Sequence, residues 1–156
     1  MEKRKENTLV KQETIVQLIK HWSETFGLPV NDTFKLPSPE RIRLCFDLID
    51  EEFMETLSAI DAKNTKEIKD GLGDLLWVTI RAMMEFGINP EEVIKSIYDS
   101  NMSKADNSEE EAIITYNKYK EQGIQTYSKK VGDYFITYRM FDNKVLKSHK
   151  FQEPNL

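Results

Sequence analysis

Cysteine occurs once in the 156 residues, at Cys45. A single thiol excludes an internal disulfide, a cysteine-rich zinc site and a CxxC redox pair. Cys45 lies among apolar residues, which fits a buried, inert side chain. Histidine is nearly as scarce. His21 and His149 show no ligand spacing, and both read as structural. No long apolar run occurs, and the opening Met1-Glu2-Lys3-Arg4-Lys5-Glu6-Asn7 is polar. Neither a membrane span nor a signal peptide is expected, and a soluble cytoplasmic protein is. Excess positive charge is missing too. Asp and Glu number 27 against 22 Lys and Arg, for a net charge of −5 and a pI of about 5.2. A general nucleic-acid or anionic-membrane binder should instead present a basic surface. Internal repeats, low-complexity tracts and an interdomain linker are also lacking. One domain, 1–156, is expected, long enough for a real core.

What is present is mostly helical pattern. Residues 1–8 read as a frayed tail. Val10, Ile15, Leu18, Ile19, Trp22 and Phe26 recur at helical spacing from Leu9 to about Phe26, and Gly27 is placed as a stop. Pro29, Asn31, Asp32 and Pro37 mark a loop over 28–37. Ser38-Pro39-Glu40 starts a second helix, with Ser38 as N-cap and Pro39 at the first helical position. It runs to about Ala62. Asn64 and Glu67 cap a third, which reaches about Glu85 or Phe86 before Gly87. Asn89-Pro90-Glu91-Glu92 starts a fourth, ending near Ser100. A charged, peripheral fifth helix spans Ser108 to Gln122. Tyr134–Met140 is β-prone, Asp142-Asn143 can turn, and Lys144–Lys147 can pair back as a small hairpin. The fold class is mainly α: an antiparallel bundle of about four core helices over roughly 9–104, with a peripheral helix and hairpin tail in 105–156.

The stretch Glu51 to Asp74 organises the rest. Glu51 and Glu55 lie one turn apart on the second helix, with Glu52 at the edge of their stripe, and Asp70 and Asp74 repeat the i, i+4 arrangement on the third. Phe46, Ile49, Phe53, Leu57 and Ile60 form one apolar face of the second helix, and Leu44, Leu48 and Ala59 fall on the acidic side. Ile68, Leu72, Leu75, Leu76, Met83 and Phe86 form the core face of the third, while Trp77, Val78 and Met84 flank its acids. Helices apolar nearly all round are buried, so the carboxylates are expected to be partly desolvated. Desolvated carboxylates need cations, and few Lys or Arg share these stripes. Hard oxygen ligands favour Mg²⁺ or Mn²⁺. A solvated acidic face is the plain alternative. Gly71 and Gly73 each cost the third helix about 1 kcal/mol against alanine, which points to close backbone approach by another helix or a ligand.

Glu51-Glu52-x-x-Glu55, then Asp70-Gly71-Leu72-Gly73-Asp74-Leu75-Leu76-Trp77-Val78, then Gly87-Ile88 and Ser100-Asn101-Met102-Ser103-Lys104 form an ordered set. That set resembles the all-α nucleoside triphosphate pyrophosphohydrolase superfamily, comprising MazG-like and phosphoribosyl-ATP pyrophosphohydrolase-like proteins. The family pattern is EExxE, a loop, then ExxD or DxxxD. One branch adds Ser-Asn-Met-Ser-Lys and a closing segment similar to Asn143–Lys147 and Pro154-Asn155-Leu156. The chain departs from ExxD at Gly71, and Asp70 supplies the carboxylate instead. Arg81 stands where relatives often carry a small residue.

The resemblance implies a metal-dependent hydrolase that splits a nucleoside triphosphate into the monophosphate and pyrophosphate, in nucleotide-pool cleaning. Phosphoribosyl-ATP pyrophosphohydrolase of histidine synthesis is the alternative enzyme. A catalytically silent binding or oligomerisation module is the alternative outside enzymes. Glu52, Glu55, Asp70 and Asp74 are the expected metal ligands, and Glu51 is either a ligand or the base. Asn101 and Lys104 are expected to face substrate. Lys147 is a further phosphate candidate, against the plain reading of a solvated strand lysine. Trp77 either stacks on a base or packs in the core. Arg81 either contacts phosphate, pairs with an acid from another segment, or marks altered activity. Helices with several apolar sides also lead us to expect a homodimer or homotetramer.

Overall fold

The computed structural model describes residues 13–156. The chain forms two compact units, Met1–Pro90 and Glu91–Leu156.

The first unit holds α1 (Ile15–Thr25), α2 (Pro39–Asp61) and α3 (Thr65–Glu85). Helix α1 starts later than the apolar spacing suggests. Thr14 is its N-cap: the Gln17 amide donates to Thr14 Oγ1 at 3.2 Å, and the Thr14 amide donates to Gln17 Oε1 at 2.9 Å. This reciprocal box stops the helix from extending back through Thr14. The expectations for residues 1–12 lie outside the described residues. Helix α2 begins as its sequence requires, with Ser38 Oγ accepting from the Arg41 amide and Pro39 in the first turn. Asn64 caps α3 by accepting from the amides of Lys66 and Glu67.

Helices α2 and α3 form an antiparallel pair joined by a tight reversal in which Lys63 takes φ 53°. They touch closely at Thr56 and Gly71. A Cβ on Gly71 would stand 2.5 Å from Thr56 Oγ1 and 3.3 Å from Thr56 Cα. Gly71 is therefore a packing residue, consistent with the helix tolerating its poor propensity. Helix α1 covers α3 through a small core of Ile19, Ile80 and Met84, with Val16, Val30 and Trp77 packed against it. Gly87 turns the chain at φ +67°, where a Cβ would collide with the Thr33 carbonyl oxygen at 1.8 Å. The 28–37 loop is tied there: the amides of Asn31 and Lys35 donate to the carbonyls of Met84 and Phe86.

The assignment of helix faces needs correction. Phe46, Phe53, Leu57 and Ile60 on α2, and Leu72 and Leu76 on α3, are exposed. The buried face instead carries Cys45, Thr56 and Ala59 on α2, and Gly71, Val78, Ile80, Arg81, Ala82, Met84 and Glu85 on α3. Both helices are apolar on several sides, and only one side of each finds partners within this unit.

The second unit holds α4 (Pro90–Met102), α5 (Glu109–Glu121), β1 (Thr126–Val131) and β2 (Tyr134–Arg139). Ser108 caps α5. The strands are antiparallel, in register from Thr126↔Arg139 to Val131↔Tyr134. The hairpin expected between Tyr134–Met140 and Lys144–Lys147 is replaced by this one. The two-residue turn Gly132-Asp133, with Gly132 at φ +59°, suits the twist of a hairpin. The later segment contributes only a bridge, Tyr138↔Val145. Asp106 bridges Phe135, so β2 is the inner strand. Tyr127 and Tyr138 stack across the strands with ring centroids 5.3 Å apart. Among the described residues no helix is long and apolar enough to cross a membrane.

Candidate active site

Two contacts fix the register of α2 against α3. Thr56 faces Gly71 near one end, and Arg41 meets Glu85 near the other. In antiparallel helices of equal rise, that register puts Glu52 level with Asp74 and Glu55 within about one turn of Asp70. The two acidic motifs, well separated in sequence, thus share one side of the helix pair.

Electrostatics agree with the register. Glu52 is half-buried, and its carboxyl is pushed above the ordinary glutamate value. Partial burial is the largest cause, followed by the negative charges of Asp74, Glu55, Glu51 and Asp70, in that order. Like charges disfavour ionisation. Asp74, level with Glu52 on the facing helix, acts on it across the helix pair. Among the described residues, no Lys or Arg forms an ion pair with any of the five.

The expected desolvation holds only in part. Glu51, Glu55, Asp70 and Asp74 are exposed, and Glu52 alone is half-buried. Of the apolar residues expected beside them, Leu44 is itself exposed, whereas Ala59, Val78 and Met84 are buried in the helix packing. Among the described residues, no three acidic, histidine or cysteine side chains converge tightly enough to enclose an ion.

The remaining candidates are placed as follows. Trp77 packs in the first unit's core and meets Trp22 edge to face at 5.6 Å. Arg81 is 6% exposed. Its charge lowers the carboxyl of Glu85 and opposes the rise of the Cys45 thiol, so it lies towards those residues. In the second unit, Asn101 is exposed, and Lys104 Nζ donates to Asn101 Oδ1 at 2.6 Å. Lys147 pairs with Glu153 at 2.7 Å and lies 4.0 Å from the centroid of the Phe151 ring.

Sequence reasoning missed the ion pair between the half-buried Arg41 and the buried Glu85, at the other end of the helix pair from Thr56 and Gly71. Arg41 Nε and Nη2 donate to the two carboxylate oxygens of Glu85 at 2.6 and 2.7 Å, and Cys45 Sγ donates to Glu85 Oε2 at 3.4 Å. Burial pushes the Glu85 carboxyl up, but the Arg41 and Cys45 hydrogen bonds and the charges of Arg41 and Arg81 outweigh it, and the group lies below its usual range. The Cys45 thiol is raised, first by burial and then by the Glu85 charge and hydrogen bond. The available signal was a lone acid in the apolar run Met83-Met84-Glu85-Phe86. Its partner is 44 residues away, beyond the reach of local pattern.

The family model described as phosphoribosyl-ATP pyrophosphohydrolase matches residues 19–101, and the chain belongs to this family. Over 80 residues the chain is 38% identical to an uncharacterized protein of Acanthamoeba polyphaga mimivirus. The match covers 49% of this chain and 32% of that protein, so the chain spans about a third of that relative.

Proposed function

We propose that the protein hydrolyses a nucleoside triphosphate to the monophosphate and pyrophosphate, with Mg²⁺ or Mn²⁺ as cofactor. The supporting observation is the helix register that sets Glu52 level with Asp74 across α2 and α3, with no basic side chain paired to either acid among the described residues. Such a set favours a cation. Its oxygen donors suit a hard divalent ion, and exposed carboxylates can rotate towards one. Glu52, Glu55, Asp70 and Asp74 are the proposed ligands. The bound ion would neutralise phosphate charge and acidify a coordinated water. Glu51 either completes that ligand set or takes the proton of the attacking water. The new bond joins water oxygen to phosphorus as the phosphoanhydride bond breaks. Asn101 and Lys104 are proposed as nucleotide contacts on the strength of the motif they share with relatives.

The matched family description favours a second reading, phosphoribosyl-ATP as substrate. Product analysis on nucleoside triphosphates and phosphoribosyl-ATP tests both. Monophosphate plus pyrophosphate from triphosphates supports the first reading. Turnover of phosphoribosyl-ATP alone replaces it with the second. Release of orthophosphate only contradicts both.

We also propose a homodimer built on the exposed stripe Phe46, Phe53, Leu57 and Ile60 with Leu72 and Leu76. Large apolar side chains left exposed along one stripe of a helix fit an interface.

A further inference from the structure

The motif Ser100-Asn101-Met102-Ser103-Lys104 divides its residues between two jobs. Asn101 and Lys104 pair with each other, and Asn101 is exposed. The two serines turn to the C-terminal segment. Ser100 Oγ donates to the Gln152 carbonyl at 2.8 Å, and the Gln152 amide donates to Ser103 Oγ at 2.9 Å. One tail residue is thus held by both its amide and its carbonyl. Ser103 Oγ also donates to the Ser100 carbonyl at 2.7 Å, which closes the last turn of α4.

These bonds are unusual for their place. A helical serine commonly bonds back to its own preceding turn. The final carbonyls of a helix have no helical partners, and that turn frays. Here Ser100 passes over its own helix for a residue 52 positions away. The tail is anchored further at both ends. Ser148 Oγ donates to the fully buried Asp106 Oδ1 at 2.5 Å, the His149 amide donates to Thr115 Oγ1 at 3.0 Å, and Ser96 Oγ donates to the Asn155 carbonyl at 3.0 Å. Residues 148–155 have no strand partners, so these bonds tie the segment to α4, to α5 and to the turn between them.

We propose that Ser100 and Ser103 are positioning residues that act through the Gln152 backbone, and that the tail 148–155 is a strap fixing the turn that carries Asn101 and Lys104. This rests on the reading of Asn101 and Lys104 as nucleotide contacts. The strap makes nucleotide affinity depend on residues that touch no nucleotide.

The test uses the full chain with Ser100→Ala/Ser103→Ala, and separately Gln152→Pro, which deletes one donor from the tail and leaves α4 intact. Lys104→Ala and Asn101→Ala serve as references. Expected are faster amide exchange over 101–105 and 148–155, a KM raised about tenfold, and kcat within about twofold. Ser100→Thr and Ser103→Thr should restore KM by restoring the hydroxyls. If the references raise KM while the serine and Gln152 variants do not, the strap is overturned and the nucleotide contacts stand. If the references leave KM unchanged, the contact reading fails and the inference falls with it. Equal losses in all parameters, without rescue by threonine, would mean a purely structural role and would also overturn it.

Discussion

Gly71 and Thr56 face each other across α2 and α3, and a Cβ on Gly71 would fall 2.5 Å from Thr56 Oγ1. This position departs from the ExxD form of the family motif, which has glutamate there. The absence of a side chain lets the two acidic stripes approach.

Gly71→Ala should therefore destabilise the protein, although alanine is the better helix former. The gain in propensity is about 1 kcal/mol, while overpacking costs about 1–3 kcal/mol. A net loss of about 1 kcal/mol is expected by chemical denaturation. Adding Thr56→Ala should recover part of it, since the nearest clashing atom is the threonine hydroxyl. Stability equal to or above wild type for Gly71→Ala would contradict the packing role.

Glu52→Gln should stabilise the metal-free protein at neutral pH. The Glu52 carboxyl is raised in the folded state above 4.5, so the native protein holds its proton more tightly than the unfolded chain. Linkage then requires native stability to fall as pH rises from about 4.5 through the folded value, and to be unaffected by this group below that window. Melting curves of both proteins should converge at low pH and separate at pH 7, with the variant higher. Excess Mg²⁺ should reverse the order by stabilising only the wild type.

Glu85→Gln should cost about 2–3 kcal/mol, because Arg41 keeps its charge and loses a bidentate carboxylate partner. The sign with pH is opposite to that of Glu52. Glu85 is depressed in the fold, so its contribution is present above the ordinary glutamate value and is lost as pH falls through the folded value. Urea titrations at pH 7 and at acidic pH measure the difference, which should shrink on acidification.

Phe53→Glu with Leu72→Glu should convert the proposed dimer to monomer without loss of helix content. Light scattering reads the first and circular dichroism the second. A wild-type monomer at working concentration would contradict the dimer.

Helix starts were legible because capping chemistry is local. Ser38-Pro39, Asn64 and Ser108 each announce the element that follows. The start of α1 was misread because apolar spacing continues past Thr14, while the cap depends on a pair of side-chain bonds with Gln17. The faces of α2 and α3 were not legible. Periodicity cannot rank two apolar stripes on one helix, and Phe53 and Leu72 were assigned to the wrong side. The hairpin was misplaced because β1, Thr126-Tyr127-Ser128-Lys129-Lys130-Val131, is polar and almost wholly exposed. The i, i+4 spacing of the acids on each helix was legible from the sequence. Their alignment, and the tie between Ser100 and Gln152, came only from contacts distant in sequence.

The most direct measurement is pyrophosphate release from a panel of canonical and modified nucleoside triphosphates, with and without Mg²⁺ or Mn²⁺, with Glu55→Ala in parallel. The account predicts release by the wild type that needs the metal and falls by at least about a hundredfold in the variant. Glu55→Ala retaining full activity would contradict the proposed ligand set. No release from folded, metal-supplied wild type would contradict the proposed hydrolysis of triphosphates, leaving phosphoribosyl-ATP turnover or a binding role.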